Sequence, residues 1–358
     1  MNSRLARQLR GIGGTLPALA IGAIGGAIFL ALRMPLAWML GSMFLVAVVA
    51  LAGGGRHIPL KVDKRLRELM VTVIGVMLGS AFKPEMIDRA GEWLDLMILM
   101  LVYVPLATLV CYQVFRRLGG LDPVTSYFSA TPGGLQEMTL IGEHYGGDPR
   151  SIILTHAIRV FMVVMTVPVY FRFVEGLDVP SMTPGVHLAD MPLQEGLLLL
   201  GCGIVGWFGA GLLRIPAARL VGPMLVSGAV HLAGLSSAQP PPELVAVAQV
   251  AMGAALGVRF VDTPIREVGR IARLAVIATA LMLAISVAMT IGFSRISGLA
   301  TEAVMLVLSP GGLAEMSLVA LALGVEVAIV SSMHVFRIVV VVILAPVAFR
   351  LSGLRKKT

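Results

Sequence analysis

Thr131-Pro132-Gly133-Gly134-Leu135-Gln136-Glu137-Met138-Thr139 returns later in the chain as Ser309-Pro310-Gly311-Gly312-Leu313-Ala314-Glu315-Met316-Ser317. The offset is 178 residues. The same offset carries His156 to His334, Arg159 to Arg337 and Pro168 to Pro346. It also carries Gly75, Gly79 and Phe82 to Gly253, Gly257 and Phe260. Nearer the start of each copy the offset becomes 181, mapping Arg33, Pro35, Gly41, Met43 and Gly53 onto Arg214, Pro216, Gly222, Met224 and Gly234. A three-residue length difference in one loop accounts for the change. This many positions matched at one spacing make the chain a duplication, and that decides the fold before any single element is read. The first copy is expected over residues 1–175, a connector over 176–195, and the second copy over 196–358.

Composition places both copies in a membrane. Hydrophobic residues make up 57% of the 358-residue chain and charged residues 13%, and the mean hydropathy is +0.91. A soluble domain carries about 25% charged residues. Apolar runs such as 94–115, 152–171, 274–293 and 327–349 reach the roughly 20 residues that a bilayer crossing needs. The 40 glycines and 20 prolines scattered among them suit membrane helices, which use Gly for close contact. Gly22, Gly25, Gly203 and Gly206 read as such contacts. The net charge of +8 sits mainly in short loops, so it reads as orientation and anionic-lipid contact, not nucleic-acid binding.

Each copy then reads as five spans plus one broken element. The first has spans over 14–32, 36–52, 68–82, 93–115 and 151–171, with the broken element over 123–145. The second has 196–213, 217–234, 244–259, 272–293 and 326–349, with the broken element over 298–323. If each broken element is a re-entrant hairpin and the N-terminus is cytoplasmic, only Arg33, Lys83, Arg89, Arg172 and Arg295 of the 28 Lys and Arg residues fall outside, with Arg159 and Arg337 inside spans. A single crossing would double the outside set. Because Lys and Arg concentrate on the cytoplasmic side, the hairpin is preferred. Two full crossings would give the same parity. An odd number of crossings per copy makes the copies inverted. The expected fold is therefore an all-α polytopic membrane protein with two inverted-topology repeats, the architecture of many secondary transporters.

The repeated motif carries the chemistry. Thr131-Pro132 and Ser309-Pro310 read as helix starts, with Ser or Thr as N-cap and Pro in the first turn. Gly133 and Gly134, and Gly311 and Gly312, would leave backbone N–H groups uncovered where a helix dipole turns its positive end to an anion. Asp122-Pro123 reads as the N-cap at the hairpin entry. Glu137 and Glu315 are ionisable groups at bilayer depth, which are costly and usually functional. His156 and Arg159, like His334 and Arg337, share a helix face at a spacing of three. A guanidinium in a span needs a partner. That partner is either an anionic substrate or the hairpin Glu.

These paired Pro-Gly-Gly-Leu-x-Glu-Met segments, each followed by His-x-x-Arg, resemble the AbrB-type integral membrane protein family. Its members carry this duplicated membrane domain and are often labelled "ammonia monooxygenase" or regulator. The resemblance covers nearly the whole chain and implies a bacterial inner-membrane protein. The name is shared with a small soluble DNA-binding regulator that this sequence does not resemble. Copper or iron oxidation chemistry needs clustered ligands. Of the six histidines, only His156 and His334 are expected to meet within the membrane. The reading is thus a non-enzyme without catalytic residues, metal or cofactor: a secondary transporter of a small anionic or polar solute, coupled to H+ or Na+. Its substrate and ion site comprises Thr131, Gly133, Gly134, Glu137, His156, Arg159 and their counterparts Ser309, Gly311, Gly312, Glu315, His334 and Arg337, near mid-membrane. The competing readings are a metal-dependent membrane enzyme and a membrane sensor or regulator. Expected partners are the solute, the coupling ion and the bilayer, with both termini cytoplasmic. Self-association into a homo-oligomer is compatible with this reading.

Overall fold

A computed structural model describes residues 2–53, 59–83, 90–177, 185–213, 215–261 and 265–354. Arg89, which entered the topology argument, and Arg214, which entered the repeat, lie outside the described residues. The chain is an all-helical, multi-pass membrane protein. Its first seven helices are α1 (Asn2–Ala31), α2 (Ala37–Leu51), α3 (Lys64–Ser80), α4 (Ala90–Gln113), α5 (Pro123–Ala130), α6 (Leu135–His144) and α7 (Pro149–Phe173). A matching series follows: α8 (Leu193–Leu212), α9 (Ala218–Leu232), α10 (Pro242–Gly257), α11 (Ile265–Ser297), α12 (Thr301–Leu308), α13 (Leu313–Ala322) and α14 (Val327–Leu351).

Among the described residues, seven helices are long and apolar enough to cross a bilayer: Gly14–Ala31, Trp93–Leu118, Pro149–Phe173, Leu193–Leu212, Pro242–Phe260, Gly269–Ser297 and Val327–Leu351. Large apolar side chains on them, such as Leu94, Leu200 and Leu344, are exposed. Water would oppose such a surface, whereas lipid tails accept it. Each expected broken element is a pair of short helices, α5 with α6 and α12 with α13.

The helices sort into two compact units, and each unit draws on both copies. Residues 1–86, 167–263 and 321–328 form the first, and residues 87–166, 264–320 and 329–358 the second. In the first unit α3 lies on α9 and α10 lies on α2. A Cβ built on Gly75 would overlap the carbonyl oxygen of Leu220, and one on its counterpart Gly253 would overlap that of Met39. Within each copy the same device recurs, because Gly25 abuts Gly41 and Gly206 abuts Gly222, backbone against backbone. Bare glycine surfaces let helices approach closely, and close packing holds helices together where lipid removes the hydrophobic drive between them. Hydroxyls tie the same seams: Ser42 Oγ donates to Val250 O and Ser227 Oγ to Val76 O, each over 2.8 Å.

One backbone feature also recurs. The residues that precede α2 and α9, Leu36 and Ala217, are both left-handed, at φ 46° and 52°. Neither is glycine, so each conformation costs about 1–2 kcal/mol that packing must offset.

Candidate functional site

Every residue of the repeated motif that was singled out in the sequence lies in the second unit, which collects α4, α5, α6, α11, α12 and most of α7, α13 and α14. The first broken element opens as expected, with the Asp122 carboxylate accepting from Val124 N and Thr125 N, each at 3.0 Å, and Pro123 in the first turn. After the break the chain doubles back. Asp148 N, just past α6, donates to Thr125 Oγ1 at the start of α5 over 2.8 Å. The Phe128 ring stacks on Tyr145 at 5.9 Å.

The helix-start reading of Thr131 and Ser309 is corrected. Thr131 closes α5 and Ser309 closes α12; each is a C-cap. Their hydroxyls donate backwards, Thr131 Oγ1 to Tyr127 O at 2.9 Å and Ser309 Oγ to Met305 O at 2.7 Å. Pro132 and Pro310 have no N–H to continue the ladder, so the helix stops there. The next helix begins only after the glycine pair, at Leu135 and at Leu313, with Gly134 as the N-cap of α6. Each hydroxyl shares its carbonyl with the backbone N–H of its own residue, Thr131 N to Tyr127 O at 3.1 Å and Ser309 N to Met305 O at 2.9 Å, so the later carbonyls of each helix are left for other donors.

Arg and His supply the remaining partners. Arg159 donates from Nη1 to Thr131 O at 3.1 Å and from Nη2 to Gly133 O at 3.3 Å. Arg337 does the same in the second copy, from Nη1 to Ser309 O at 2.8 Å and from Nη2 to Gly311 O at 2.6 Å. His156 Nε2 lies 2.8 Å from Phe128 O, and His334 Nε2 lies 3.1 Å from Leu306 O. A carbonyl only accepts, so Nε2 carries the proton in both rings. The Nδ1 lone pair of His156 then accepts from Arg159 Nη2 at 2.9 Å. Both arginines thus cap the negative end of a broken helix and pair with backbone carbonyls, as a cation at a helix C-terminus should.

The glutamates occupy the opposite pole. Glu137 stands three residues after the Gly134 N-cap, where a carboxylate folds back onto the start of its own helix. Its carboxylate lies over Gly134, in the space a Cβ would need, and the carboxylate of Glu315 lies over Gly312 in the same way. The positive helix end that the sequence reading left open for a solute therefore carries a resident anion. Gly133 serves packing, since a Cβ there would meet the Val341 side chain on α14. Each break is electrostatically closed, with a cation on its carbonyl end and an anion on its amide end.

The two copies of the motif meet in this unit. Gly133 at the first break lies against the Val341 side chain on α14 of the second copy. Tyr103, fully buried on α4, places its hydroxyl 3.2 Å from Ser286 Oγ on α11, and Ser286 Oγ lies 3.0 Å from Leu308 O at the end of α12. Sequence reasoning missed Tyr103 and Ser286. Tyr103 has no counterpart at the 178-residue offset, where Leu281 stands, and the matched pair Thr108 and Ser286 lies far from the Pro-Gly-Gly motif, so the search around that motif passed over them. Several buried polar atoms of the unit have no partner, among them Nε of Arg159, Nε of Arg337, Nδ1 of His334 and Oγ of Ser317. A cavity of about 420 Å³ reaches Thr131 and Tyr127. Among the described residues no three or more His, Cys, Asp or Glu side chains cluster as a metal site.

Comparison with known proteins adds two kinds of finding. The family model described as "Transition state regulatory protein AbrB" matches residues 38–353. Two relatives align over most of their length. One is "Uncharacterized protein YhjN" of Bacillus subtilis, 24% identical over 354 residues, covering 93% of this chain and 91% of the relative. The other is "Putative regulator AbrB" of Escherichia coli, 23% identical over 328 residues, covering 90% and 91%.

Proposed function

Because the chain belongs to the AbrB family, a family whose copy here crosses a membrane several times, we propose that it is a secondary transporter of a small anionic or polar solute. The observation that carries this reading is the pair of broken helices within one compact unit, each closed by the same Arg, His and Glu. Broken helices are tolerated at membrane depth where they line a cavity or are buried in protein, and transporters use them as solute sites. In this proposal the two copies are inverted, the breaks are re-entrant hairpins near mid-membrane, and both termini face the cytoplasm of a bacterial inner membrane. The solute takes the unpartnered Nε–H groups of Arg159 and Arg337.

Coupling by H+ is favoured over Na+. Unwound carbonyls are the usual ligands for sodium in broken helices. Here the carbonyls of Thr131, Gly133, Ser309 and Gly311 hold guanidinium groups. A sodium ion would have to displace a tethered cation. The groups left to exchange a proton are Glu137, Glu315, His156 and His334. Each glutamate shields one helix start, and its protonation would free that start for the solute's negative group.

The test is uptake into proteoliposomes of a panel of small organic and inorganic anions, under an imposed pH gradient and, separately, a sodium gradient. The expected result is accumulation of at least one anion under the pH gradient, with Glu137→Gln plus Glu315→Gln removing the gradient dependence. No accumulation under either gradient would overturn transport. The Escherichia coli relative carries a regulator's name; a regulatory role for this chain would show instead as binding without accumulation.

A further inference from the structure

The 420 Å³ cavity of the second unit is a groove with a gradient along it. Its walls are one face of α4, from Leu101 to Gln113, and one face of α14, from Val340 to Ser352. Each wall spans thirteen residues, twelve steps that cover about 18 Å at 1.5 Å per residue. That matches the hydrocarbon depth of one bilayer leaflet, about 15 Å. Leu101, Leu109 and Leu344 line the groove and are 42%, 59% and 49% exposed, so it opens sideways. Most of the exposed lining surface is apolar, with hydroxyls and one amide among it, which suits a hydrocarbon chain better than a small polar solute.

The two ends differ. The inner end is Thr131 at the first break, where Gly133 lies against Val341. The outer end lies beside the start of α5, where Arg116 Nη1 donates to Leu121 O at 2.8 Å, and between the two ends Tyr127 ties α5 to α14 through its hydroxyl on Ala345 O at 3.0 Å and its ring 5.3 Å from that of Phe349. That end is basic. Arg116 and Arg117 follow Gln113 by one turn, and Arg350 closes α14; all three are exposed. Arg116 uses Nη1 on Leu121 O and Arg350 uses Nε on the Tyr145 hydroxyl, which leaves further N–H groups on both.

We propose that this groove holds one acyl chain of an anionic phospholipid, with the phosphate on Arg116, Arg117 and Arg350. An apolar groove open to a bilayer fills with hydrocarbon, and basic residues at the interface select anionic headgroups. The bound chain ends against Thr131, so the lipid buttresses the first broken helix. This site stands apart from the proposed transport, and either can fail without the other.

The experiment is native mass spectrometry of the full chain in detergent, incubated with dioleoylphosphatidylglycerol, with dioleoylphosphatidylcholine, or with oleate. The chains are identical and only the headgroup changes. The wild type is expected to retain phosphatidylglycerol at least about tenfold better than phosphatidylcholine, given three basic residues at the interface. Ala348→Phe, at an exposed lining position, is expected to abolish retention, with unchanged helicity by circular dichroism as the folding control. Arg116→Gln with Arg117→Gln and Arg350→Gln is expected to bring the two phospholipids within about twofold of each other. Equal retention of both phospholipids by the wild type, no retention of either, full retention by Ala348→Phe, or preference for oleate over phosphatidylglycerol would each overturn the proposal.

Discussion

Replacing Arg337 is the sharpest test of the capping geometry. Its guanidinium donates to Ser309 O at 2.8 Å and Gly311 O at 2.6 Å, and the residue is only 3% exposed. Arg337→Ala deletes two charge-assisted bonds, each contributing about 1.5–3 kcal/mol, and leaves two carbonyls unpaired, so about 3–6 kcal/mol is lost. Arg337→Lys keeps a charge but offers a point ammonium in place of a planar fork, so it should recover about half of that. Arg159 holds the equivalent carbonyls at 3.1 and 3.3 Å. Those bonds are longer and Thr131 O keeps Gly133 N as a second donor, so even with the 2.9 Å bond to His156 Nδ1 also lost, Arg159→Ala should cost less than Arg337→Ala, at about 2–3 kcal/mol. The assay is unfolding by SDS titration in mixed micelles, followed by circular dichroism, on the four proteins side by side. A loss under about 1 kcal/mol for Arg337→Ala would refute the capping role and return the arginine to the solute. Equal losses for the two alanine variants would show that the bond lengths do not set the ranking. The same measurement must precede any uptake assay on these variants, because a protein that has lost its broken helix says nothing about solute contact.

Three further outcomes are expected. Gly222→Ala would drive a Cβ into the Gly206 carbonyl and the Ala210 side chain and should cost about 1–3 kcal/mol, whereas Gly201→Ala, which meets nothing within 4 Å, should be neutral or stabilising by about 0.5–1 kcal/mol in the same titration. Ala217→Gly should stabilise by about 0.5–1 kcal/mol by removing a left-handed non-glycine residue, while Leu36→Gly should destabilise because it also empties a buried site. His187 Nδ1 lies 2.5 Å from Glu243 Oε1, and that bond raises the imidazole pKa above its ordinary value of 6.5. A raised folded pKa gives stabilisation that is complete below the unfolded pKa and is lost as pH rises through the folded one, so limited proteolysis near His187 should speed up from pH 6 to alkaline pH and lose that dependence in His187→Ala.

The sequence by itself determined the duplication, the membrane class and the roll of motif residues. Those signals are local or periodic: apolar runs of bilayer length, a Pro that stops a helix, a glycine pair, and a spacing of three that puts His and Arg on one face. Three of the four close-contact glycines were legible for the same reason: Gly25 and Gly206 meet a helix backbone and Gly22 meets Ser42, whereas Gly203 touches only the Thr72 and Val76 side chains at ordinary distances. Tertiary structure alone decided what the polar groups hold. Thr131 was read as the start of a helix and is the end of one, because a hydroxyl beside a proline can serve either end and only the position of the next hydrogen bond chooses. Arg159 could reach a carboxylate or a carbonyl by type; the doubling back of α5 and α6 brings the Thr131 and Gly133 carbonyls to it and sends Glu137 to the opposite pole. Tyr103 and Ser286 became partners through the packing of α4 on α11; the offset pairs Ser286 with Thr108 and gives no hint of Tyr103. A helix break inside a membrane must pair every backbone group it exposes, and which side chains do so is set by where the chain returns, a long-range property that residue types and spacings do not encode.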